Sequence, residues 1–418
     1  MKAAPGNPLS VSTKRSILAC FVLLCSAAAA QVAADEDCIV TIVATVPDNT
    51  PTLYLAGNHP SLGRWKPDGI QMEGTGRERT TRFAVPMGTD LEYKFTLGSW
   101  EREALGPSGM VMPNFKVRIS GNTELRHEVP SFKKEVSAYL DDWQNSGVLG
   151  RLVYWRDVAS EYLGAARHVS IWLPPGYDED LGRRYPVLYM SDGQNLFDPR
   201  IANTGTDWGV DEAVVDLVDE EAIEPIIVVG IWSTAARGRE YSPWHLAPQY
   251  ARFLIEELMP RVDSEFRTMT DAAHTAHMGS SMGGLLSYYL AMHHPTEFGA
   301  GGCLSTHFPL SEEVTARIMR GVDRPEKPDA TPYVLRDIEG GLTVPPGTRL
   351  WFDYGTKGLD SVYGPTHDAV RQWLVQQQRI DGTDFVIRCY EEADHNEASW
   401  RERLGDPLRF LFESRAAD

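Results

Sequence analysis

Two patterns of apolar and polar residues divide the chain. Between about Cys38 and Pro130, short segments alternate apolar with polar residues and are bounded by Gly, Pro, Asn or Asp. Alternation with a period of two is typical of half-buried strands, and no stretch here has helical periodicity. The segments are CIVTIVATV, PTLYLAG, TRFAVPM, LEYKFTL, FKVRISG and ELRHEV. Residues 36–130 are therefore predicted to form a small antiparallel β-sandwich of roughly seven strands.

From about Tyr139 onward, apolar runs alternate with long amphipathic segments. The runs are HVSIWLP, YPVLYMS, PIIVVGIW, HTAHMGS, AGGCLST, RLWFDYG and FVIRCYE. Repeated strand–helix alternation predicts an α/β domain, with a mostly parallel sheet flanked by helices on both faces, over residues 143–418. The stretch 131–142 is charged and has no pattern of its own, so it is predicted to be a linker.

The amino terminus has the pattern of a secretory signal peptide. Lys14 and Arg15 precede an uncharged apolar run that ends in an Ala-x-Ala pattern at Ala30. Residues 1–30 are predicted to be removed on export, which makes the mature protein secreted or periplasmic. The alternative is a membrane anchor, but the apolar part is shorter than the ~20 residues of a bilayer span, so no stable membrane association is expected after signal removal. Lipidation at Cys20 is a second alternative.

Charge and cysteine content narrow the class of protein. The 418 residues carry a formal net charge of −18, and removing the basic signal makes it more negative. Such a surface repels nucleic acid, so no nucleic-acid partner is predicted. Cys38, Cys303 and Cys389 remain after the signal, an odd number without metal-ligand spacing. They predict neither a disulfide framework nor a metal site, and no cofactor is expected.

A Gly-Ser-Ser-Met-Gly string, Gly279–Gly283, is the first candidate for chemistry. By itself it is a weak signal, because the alternative is a plain serine between glycines. However, a predicted strand precedes it and a predicted helix follows it. A sharp strand-to-helix turn that exposes a nucleophilic serine needs small residues on either side of the serine. Ser281 is therefore predicted to be a catalytic nucleophile.

A serine nucleophile needs a histidine base and an acid that orients the histidine. Asp360 follows the run RLWFDYG, and His395 follows the last run, FVIRCYE. Residues just past the carboxyl ends of neighbouring parallel strands can converge on one crevice, and the chain order Ser, Asp, His suits such a site. Asp353, inside a strand, and Asp368, on the following helix, are the alternatives for the acid.

Backbone amides are the expected donors to the oxyanion that forms on the attacked carbonyl. One is the amide of Met282, which begins the helix after the nucleophile. The other is the amide of Gln194 in YMSDGQNLF, where Gly193 lets the backbone approach closely. The alternative for this second segment is a plain turn.

These motifs resemble those of secreted esterases of the α/β-hydrolase fold that are related to esterase D and enterochelin esterase. The matching stretches, between about Gly150 and Phe412, are YMSDGQNLF, DWGVDEAV, EYSPW, HMGSSMGG, WFDYGT and ADHNEASW. The resemblance implies a Ser281–Asp360–His395 triad with an oxyanion hole formed by Gln194 and Met282. The spacing in GTKGLD is longer than the GTxD of feruloyl esterases.

The amino-terminal segment resembles the starch-binding module, carbohydrate-binding module family 20. LYLAGNHPSLGRWKPDGIQM and GTDLEYKFTLGSWE match its framework between about Val40 and Pro130. The resemblance implies that Trp65 and Trp100 stack on sugar rings, since an indole offers a flat apolar face. The segment EREALGPSGMVMPN departs from the pattern of the starch binders. The alternatives are a structural spacer, a site for another ligand and, for Trp65, a place partly in the core.

Three functions are consistent with this sequence. The first is a serine ester hydrolase that acts through an acyl-enzyme on acyl esters of glycans or small molecules, with a polysaccharide as partner of the amino-terminal module. The alternatives are a glycan-binding protein with an idle hydrolase domain and an acyltransferase to a sugar hydroxyl. Four aromatic residues of the motifs either line a substrate pocket or pack in the core: Trp208, Tyr241, Trp244 and Trp400.

Overall fold

The computed structural model describes residues 37–107, 111–134, 136–314 and 331–413. The predicted signal peptide, residues 1–30, lies outside these ranges. Within them, no helix is both long enough and apolar enough to cross a membrane.

The amino-terminal domain is all β, as predicted. Its strands are β1 (Asp37–Thr45), β2 (Tyr54–Gly57), β3 (Ile70–Gln71), β4 (Glu78–Pro86), β5 (Asp90–Thr96), β6 (Ala104–Leu105), β7 (Phe115–Arg118), β8 (Thr123–Glu128) and β9 (Ser131–Phe132). They form sheets of order β4-β1-β8 and β3-β2-β5-β7 and the pair β6-β9. The alternating inward side chains of these strands meet in one apolar core.

One strand pair differs from the predicted antiparallel arrangement. Strands β1 and β8 pair in parallel, with Val40 opposite Thr123 and Thr45 opposite Glu128. Strand β7 belongs to the other sheet, so β8 reaches β1 by crossing between sheets. No hairpin therefore fixes its direction, and alternation within a single strand carries no information about it.

The segment predicted to be a patternless linker contains regular structure. Strand β9 pairs with β6, and helix α1 (Val136–Asp141) follows it. Tyr139 and Leu140 of this helix are buried against Ile201 and Trp232 of the carboxy-terminal domain. This short helix was not predicted because its two buried apolar residues are surrounded by charged residues in the sequence.

The carboxy-terminal domain contains an eight-stranded sheet of order β10-β11-β13-β12-β14-β15-β16-β17. Its strands are β10 (Arg151–Val158), β11 (Arg167–Leu173), β12 (Val187–Ser191), β13 (Ile227–Ile231), β14 (Thr275–Ser280), β15 (Ala300–Leu304), β16 (Arg349–Gly355) and β17 (Phe385–Tyr390). Neighbouring strands are parallel from β13 to β17, and β11 is antiparallel to both of its neighbours, β10 and β13. All seven predicted runs are strands, whereas β10, an edge strand with mixed charges, was missed.

Helices cover both faces of this sheet and bury two apolar cores against it. They are α2 (Val210–Asp219), α3 (Arg237–Glu240), α4 (Ala247–Arg252), α5 (Met259–Glu265), α6 (Met282–His293), α7 (Tyr333–Glu339), α8 (Gly364–Gln376), α9 (Glu397–Arg403) and α10 (Gly405–Phe412). A π-helical stretch, Phe253–Leu258, joins α4 to α5. The structure thus confirms the predicted α/β architecture, in which the loops after the parallel strands converge at one edge.

Candidate active site

Ser281 occupies the turn between β14 and α6. Its backbone has φ 59° and ψ −121°, a strained conformation for a residue other than glycine. A Cβ on Gly279 would lie 2.8 Å from the carbonyl carbon of Gly283. A Cβ on Gly283 would lie 3.0 Å from the Cβ of Ser191. The turn therefore needs glycine on both sides of the serine, as the sequence predicted. Ser281 is 8% exposed.

Asp360 and His395 contact each other. Asp360 lies in a 3₁₀ turn after β16, and His395 lies in the loop after β17. Their Oδ1 and Nδ1 atoms are 2.6 Å apart. The other carboxylate oxygen of Asp360 accepts hydrogen bonds from Ser305 Oγ at 2.5 Å and the Gly355 amide at 2.7 Å. Burial opposes ionisation of Asp360, but these hydrogen bonds outweigh it and hold its pKa below the ordinary value.

The two alternative acids lie elsewhere. Asp353 is buried in β16, where it pairs with Arg403 at 2.8 Å and accepts a hydrogen bond from the Ser305 amide at 3.1 Å. Asp368 is exposed on α8. Of the three aspartates, the one that contacts His395 is therefore Asp360.

The segment after β15 connects the serine to the histidine. The Ser281 amide donates to the Leu304 carbonyl at 2.9 Å, and the His307 amide lies 3.4 Å from the Ser281 carbonyl oxygen. The His307 ring stacks on the His395 ring, with centroids 5.1 Å apart. Burial, together with the nearby His395, lowers the pKa of His307 to about 3, so His307 is neutral at neutral pH. Only its place just after β15 could have identified His307 from the sequence.

The predicted oxyanion donors lie at two helix starts. Met282 is the first residue of α6, where a backbone N–H has no acceptor within the helix. Gln194 lies in the 3₁₀ turn Gly193–Asn195 after β12. Its side-chain amide donates to Ser233 Oγ at 2.7 Å and accepts from the Ser233 amide at 3.1 Å. These two bonds fix the orientation of the turn.

An ion pair anchors the start of the same turn. Arg237 binds both carboxylate oxygens of Asp192, at 2.6 and 2.7 Å. Burial of Arg237 disfavours its charge, but the Asp192 carboxylate outweighs burial and raises the pKa of the guanidinium. Neither Arg237 nor Ser233 was predicted from the sequence, although both follow β13, the neighbour of β12 in the sheet.

The two tryptophans of the amino-terminal domain form a pair. The ring centroids of Trp65 and Trp100 are 6.4 Å apart, with their planes inclined by 42°. Trp65 is half-buried, and Trp100 is 36% exposed. The structure thus brings together the two residues that the sequence singled out for stacking.

For four further aromatic residues, the sequence allows either a place in a substrate pocket or a place in the core. Trp208, Tyr241 and Trp400 are buried, and Trp208 packs on Trp400 with centroids 5.4 Å apart. Trp400 also donates its indole N–H to Ser305 Oγ at 2.9 Å. Trp244 packs edge-on against Tyr333. All four make packing contacts.

One acidic cluster in the described ranges has carboxylate oxygens near enough to one another for a cation. It consists of Asp207, Asp211 and Glu212, with these atoms within 4.8 Å of one another. Arg401 already binds Asp207 at 2.9 Å and Glu212 at 2.8 Å. Burial and the adjacent Glu212 raise the pKa of Asp211 to about 8. Through Arg401, the cluster connects the start of α2 to α9.

Comparison with known proteins gives two family matches and several relatives. Residues 160–411 match the family described as "Putative esterase", and residues 39–105 match the starch binding domain. An endo-1,4-beta-xylanase/feruloyl esterase of Xylanibacter ruminicola is 29% identical over 195 residues, which cover 45% of this chain and 25% of that protein. The uncharacterised protein YbbA of Bacillus subtilis is 24% identical over 159 residues, covering 35% of this chain and 59% of its own.

Among solved structures, the enterobactin esterase of Shigella flexneri aligns with a TM-score of 0.49 and 15% identity over 89% of this chain and 92% of its own. The chain spans between a quarter and 59% of the length of the two curated relatives named above. The esterase match covers more than half of the 418 residues. The chain therefore belongs to this esterase family and carries a starch-binding domain on its amino-terminal side.

Proposed function

We propose that this protein is a carboxylic ester hydrolase in which Ser281 is the nucleophile, His395 the base and Asp360 the acid that orients the base. The observation that carries the proposal is the Asp360–His395 contact of 2.6 Å, which His307 links to the strained turn of Ser281. Membership of the esterase family supports the same reaction.

In the proposed mechanism, His395 Nδ1 donates to Asp360, which leaves Nε2 as the base. Nε2 removes the hydroxyl proton of Ser281 while the serine oxygen attacks the ester carbonyl. The Gln194 and Met282 amides stabilise the oxyanion, and the helix dipole of α6 adds to the second of these interactions. His395 then protonates the departing alcohol. Water, activated by the same base, releases the acid from the acyl-enzyme.

The environment of Asp360 suits this role. Its carboxylate is buried and has a lowered pKa, so it stays ionised at neutral pH. A buried negative charge 2.6 Å from Nδ1 favours the imidazolium that forms when Ser281 loses its proton. Its second oxygen is occupied by Ser305 and Gly355, which fixes the side chain in one orientation.

Acyl esters of glycans or small molecules are the proposed substrates, and the proposed location is outside the cytoplasm. The starch-binding domain supports a carbohydrate partner, and one curated relative carries feruloyl esterase in its name. Two measurements separate this hydrolase from its alternatives. A glycan-binding protein with an idle hydrolase domain would not react with a serine-directed fluorophosphonate. An acyltransferase would convert a sugar acceptor into an acylated product, which product analysis would detect.

The test is hydrolysis of a series of 4-nitrophenyl esters by the mature chain and its Ser281→Ala variant. Replacing Ser281 should lower kcat by about 10³-fold or more, because the residual rate relies on binding and the oxyanion donors alone. The adjacent buried serine gives the matched control, Ser280→Ala, which should keep most of the activity. Equal activity in Ser281→Ala and the unsubstituted chain would refute the assignment.

A further inference from the structure

A cavity of about 600 Å³ lies between the two domains. The amino-terminal domain contributes Trp65, Trp100 and Lys133 to its lining, and the esterase domain contributes Gln194, Ser233 and Arg237. Its volume falls within the range of about 300–1,000 Å³ that small-molecule sites occupy. The two tryptophans and the predicted oxyanion turn therefore border one space.

We infer that this cavity is a single substrate site built by both domains, in which Trp65 and Trp100 hold a sugar ring of the same ester molecule that Ser281 attacks. The inference rests on the proposed function and specifies its substrate as an acylated sugar. A starch-binding domain used only as a tether would bind a polysaccharide chain away from the reacting ester. Here the module supplies part of the substrate site itself.

Buried contacts fix the module against the esterase domain. Lys133, 6% exposed, donates to the Ala202 carbonyl at 3.0 Å. Val111 approaches so closely that a Cβ on Gly205 would lie 2.9 Å from it. The loop that receives these contacts is itself tied to the oxyanion turn, because the Asn203 amide donates to Asn195 Oδ1 at 2.9 Å. A short series of contacts thus connects the module to the turn that carries Gln194.

The positions of both indole rings are set by their local backbone. Trp65 has φ 63°, and its amide donates to the Gly57 carbonyl at 2.7 Å. Trp100 begins a 3₁₀ turn whose first residues are capped by Ser99, which accepts from the Glu101 amide at 3.1 Å. A backbone held in this way loses little freedom on binding, and each ring offers a flat apolar face to a pyranose.

The rest of the lining favours a sugar over an aryl or alkyl group. Charged side chains from both domains border the cavity, namely Lys94, Glu101, Glu103, Lys133 and Arg237. A sugar presents hydroxyl donors and acceptors to such groups while its apolar face rests on an indole. An alkyl chain would exclude water from these charged groups, at a cost in desolvation.

The experiment compares three substrates, acetylated maltotriose, methyl ferulate and 4-nitrophenyl acetate, with the full chain and its Trp65→Ala and Trp100→Ala variants. Each variant should lower kcat/KM for acetylated maltotriose by about 10-fold, mainly through KM, and leave hydrolysis of 4-nitrophenyl acetate within about twofold. Trp100→Tyr, which keeps a flat ring, should retain most of the activity on the sugar ester. Met87→Ala, at an exposed apolar residue of the same domain, is the control for surface truncation.

Unacylated maltotriose provides a second measurement. Because it is the alcohol product, it should inhibit hydrolysis of 4-nitrophenyl acetate competitively, and Trp100→Ala should abolish this inhibition. Tryptophan variants that lose retention on insoluble starch but keep full kcat/KM on acetylated maltotriose would show a separate tether and overturn the inference.

The remaining outcomes are equally decisive. Activity on 4-nitrophenyl acetate without activity on acetylated maltotriose, or a tryptophan effect confined to methyl ferulate, would overturn the assignment of a sugar ester. Inertness of the unsubstituted chain toward all three esters would overturn the proposed function and the inference with it. The two failures are distinguishable because the nitrophenyl ester depends on Ser281 and not on the tryptophans.

Discussion

At the scale of single residues, the environment of Asp360 depends on neighbours that are distant in the sequence. Ser305 donates to its carboxylate and in turn accepts from Trp400 at 2.9 Å and Arg403 at 2.8 Å. Arg403 also holds Asp353, so two buried carboxylates share one network while Asp360 alone contacts His395. A carboxylate that accepts three hydrogen bonds is held in one orientation.

We predict that Asp360→Asn lowers kcat by about 10³–10⁴-fold with little change in fold, because an amide cannot hold the reactive tautomer of His395. Steady-state hydrolysis of 4-nitrophenyl acetate measures the effect, and circular dichroism checks the fold. Asp368→Asn is the matched control, since Asp368 is exposed on α8. A larger loss for Asp368→Asn would return the acid role to that residue.

At the scale of elements, the turn from β14 to α6 is held by close backbone approach. Gly279 faces Gly283, Gly283 faces Ser191, and a Cβ on Gly284 would lie 2.3 Å from Thr306 Oγ1. Such packing leaves the turn no room to relax, which maintains the unfavourable φ of Ser281. The elements around the site therefore determine the position of the candidate nucleophile.

Gly279→Ala is expected to destabilise the protein by about 1–3 kcal/mol and to reduce esterase activity further, because the new methyl group would displace the backbone of α6 at Gly283. Urea unfolding and nitrophenyl ester hydrolysis measure the two effects. For comparison, Gly164→Ala adds a methyl group where nothing lies within 4 Å, and it should leave both unchanged. A Gly279→Ala chain with full stability and activity would contradict the argument from close approach.

At the scale of the whole molecule, burial of histidines makes folding sensitive to acid. His277, His307 and His367 are buried, and desolvation lowers their pKa values from 6.5 to about 3, 3 and 4, respectively. In the unfolded chain the same rings take up protons below about pH 6.5. The unfolded state then binds more protons, so each of these histidines reduces stability as the pH falls from about 6.5 toward the folded value.

A variant of one such residue isolates this effect. We expect the loss of unfolding free energy between pH 7.5 and pH 5 to be smaller in His277→Gln than in the unsubstituted chain by roughly 2 kcal/mol. His277 is suited to the test because it lies in the core of β14 and bonds Ser287 Oγ at 2.8 Å. His274→Gln, at an exposed histidine nearby, is the matched control. Equal pH dependence in all three proteins would refute the prediction.

Several local features could be predicted because short-range patterns carry them. The seven apolar runs became strands, since their length and composition suit burial inside a parallel sheet. The position of Ser281 at a strand-to-helix turn followed from flanking glycines, and the position of His395 followed from chain order after the last strand. Strand β10 and helix α1 escaped prediction because their charged residues mask the few side chains that each buries.

Neighbours along the chain were enough to predict the seven apolar strands, the turn that carries the candidate nucleophile and the family that the motifs resemble. Four features appear in the tertiary structure alone, namely the parallel pairing of β1 with β8, the contact of Asp360 with His395, the stacking of His307 on His395 and the cavity between the two domains. These features join residues far apart in the chain. Their geometry is set by the order of strands in the sheets and by the packing of one domain on the other, which no local periodicity encodes.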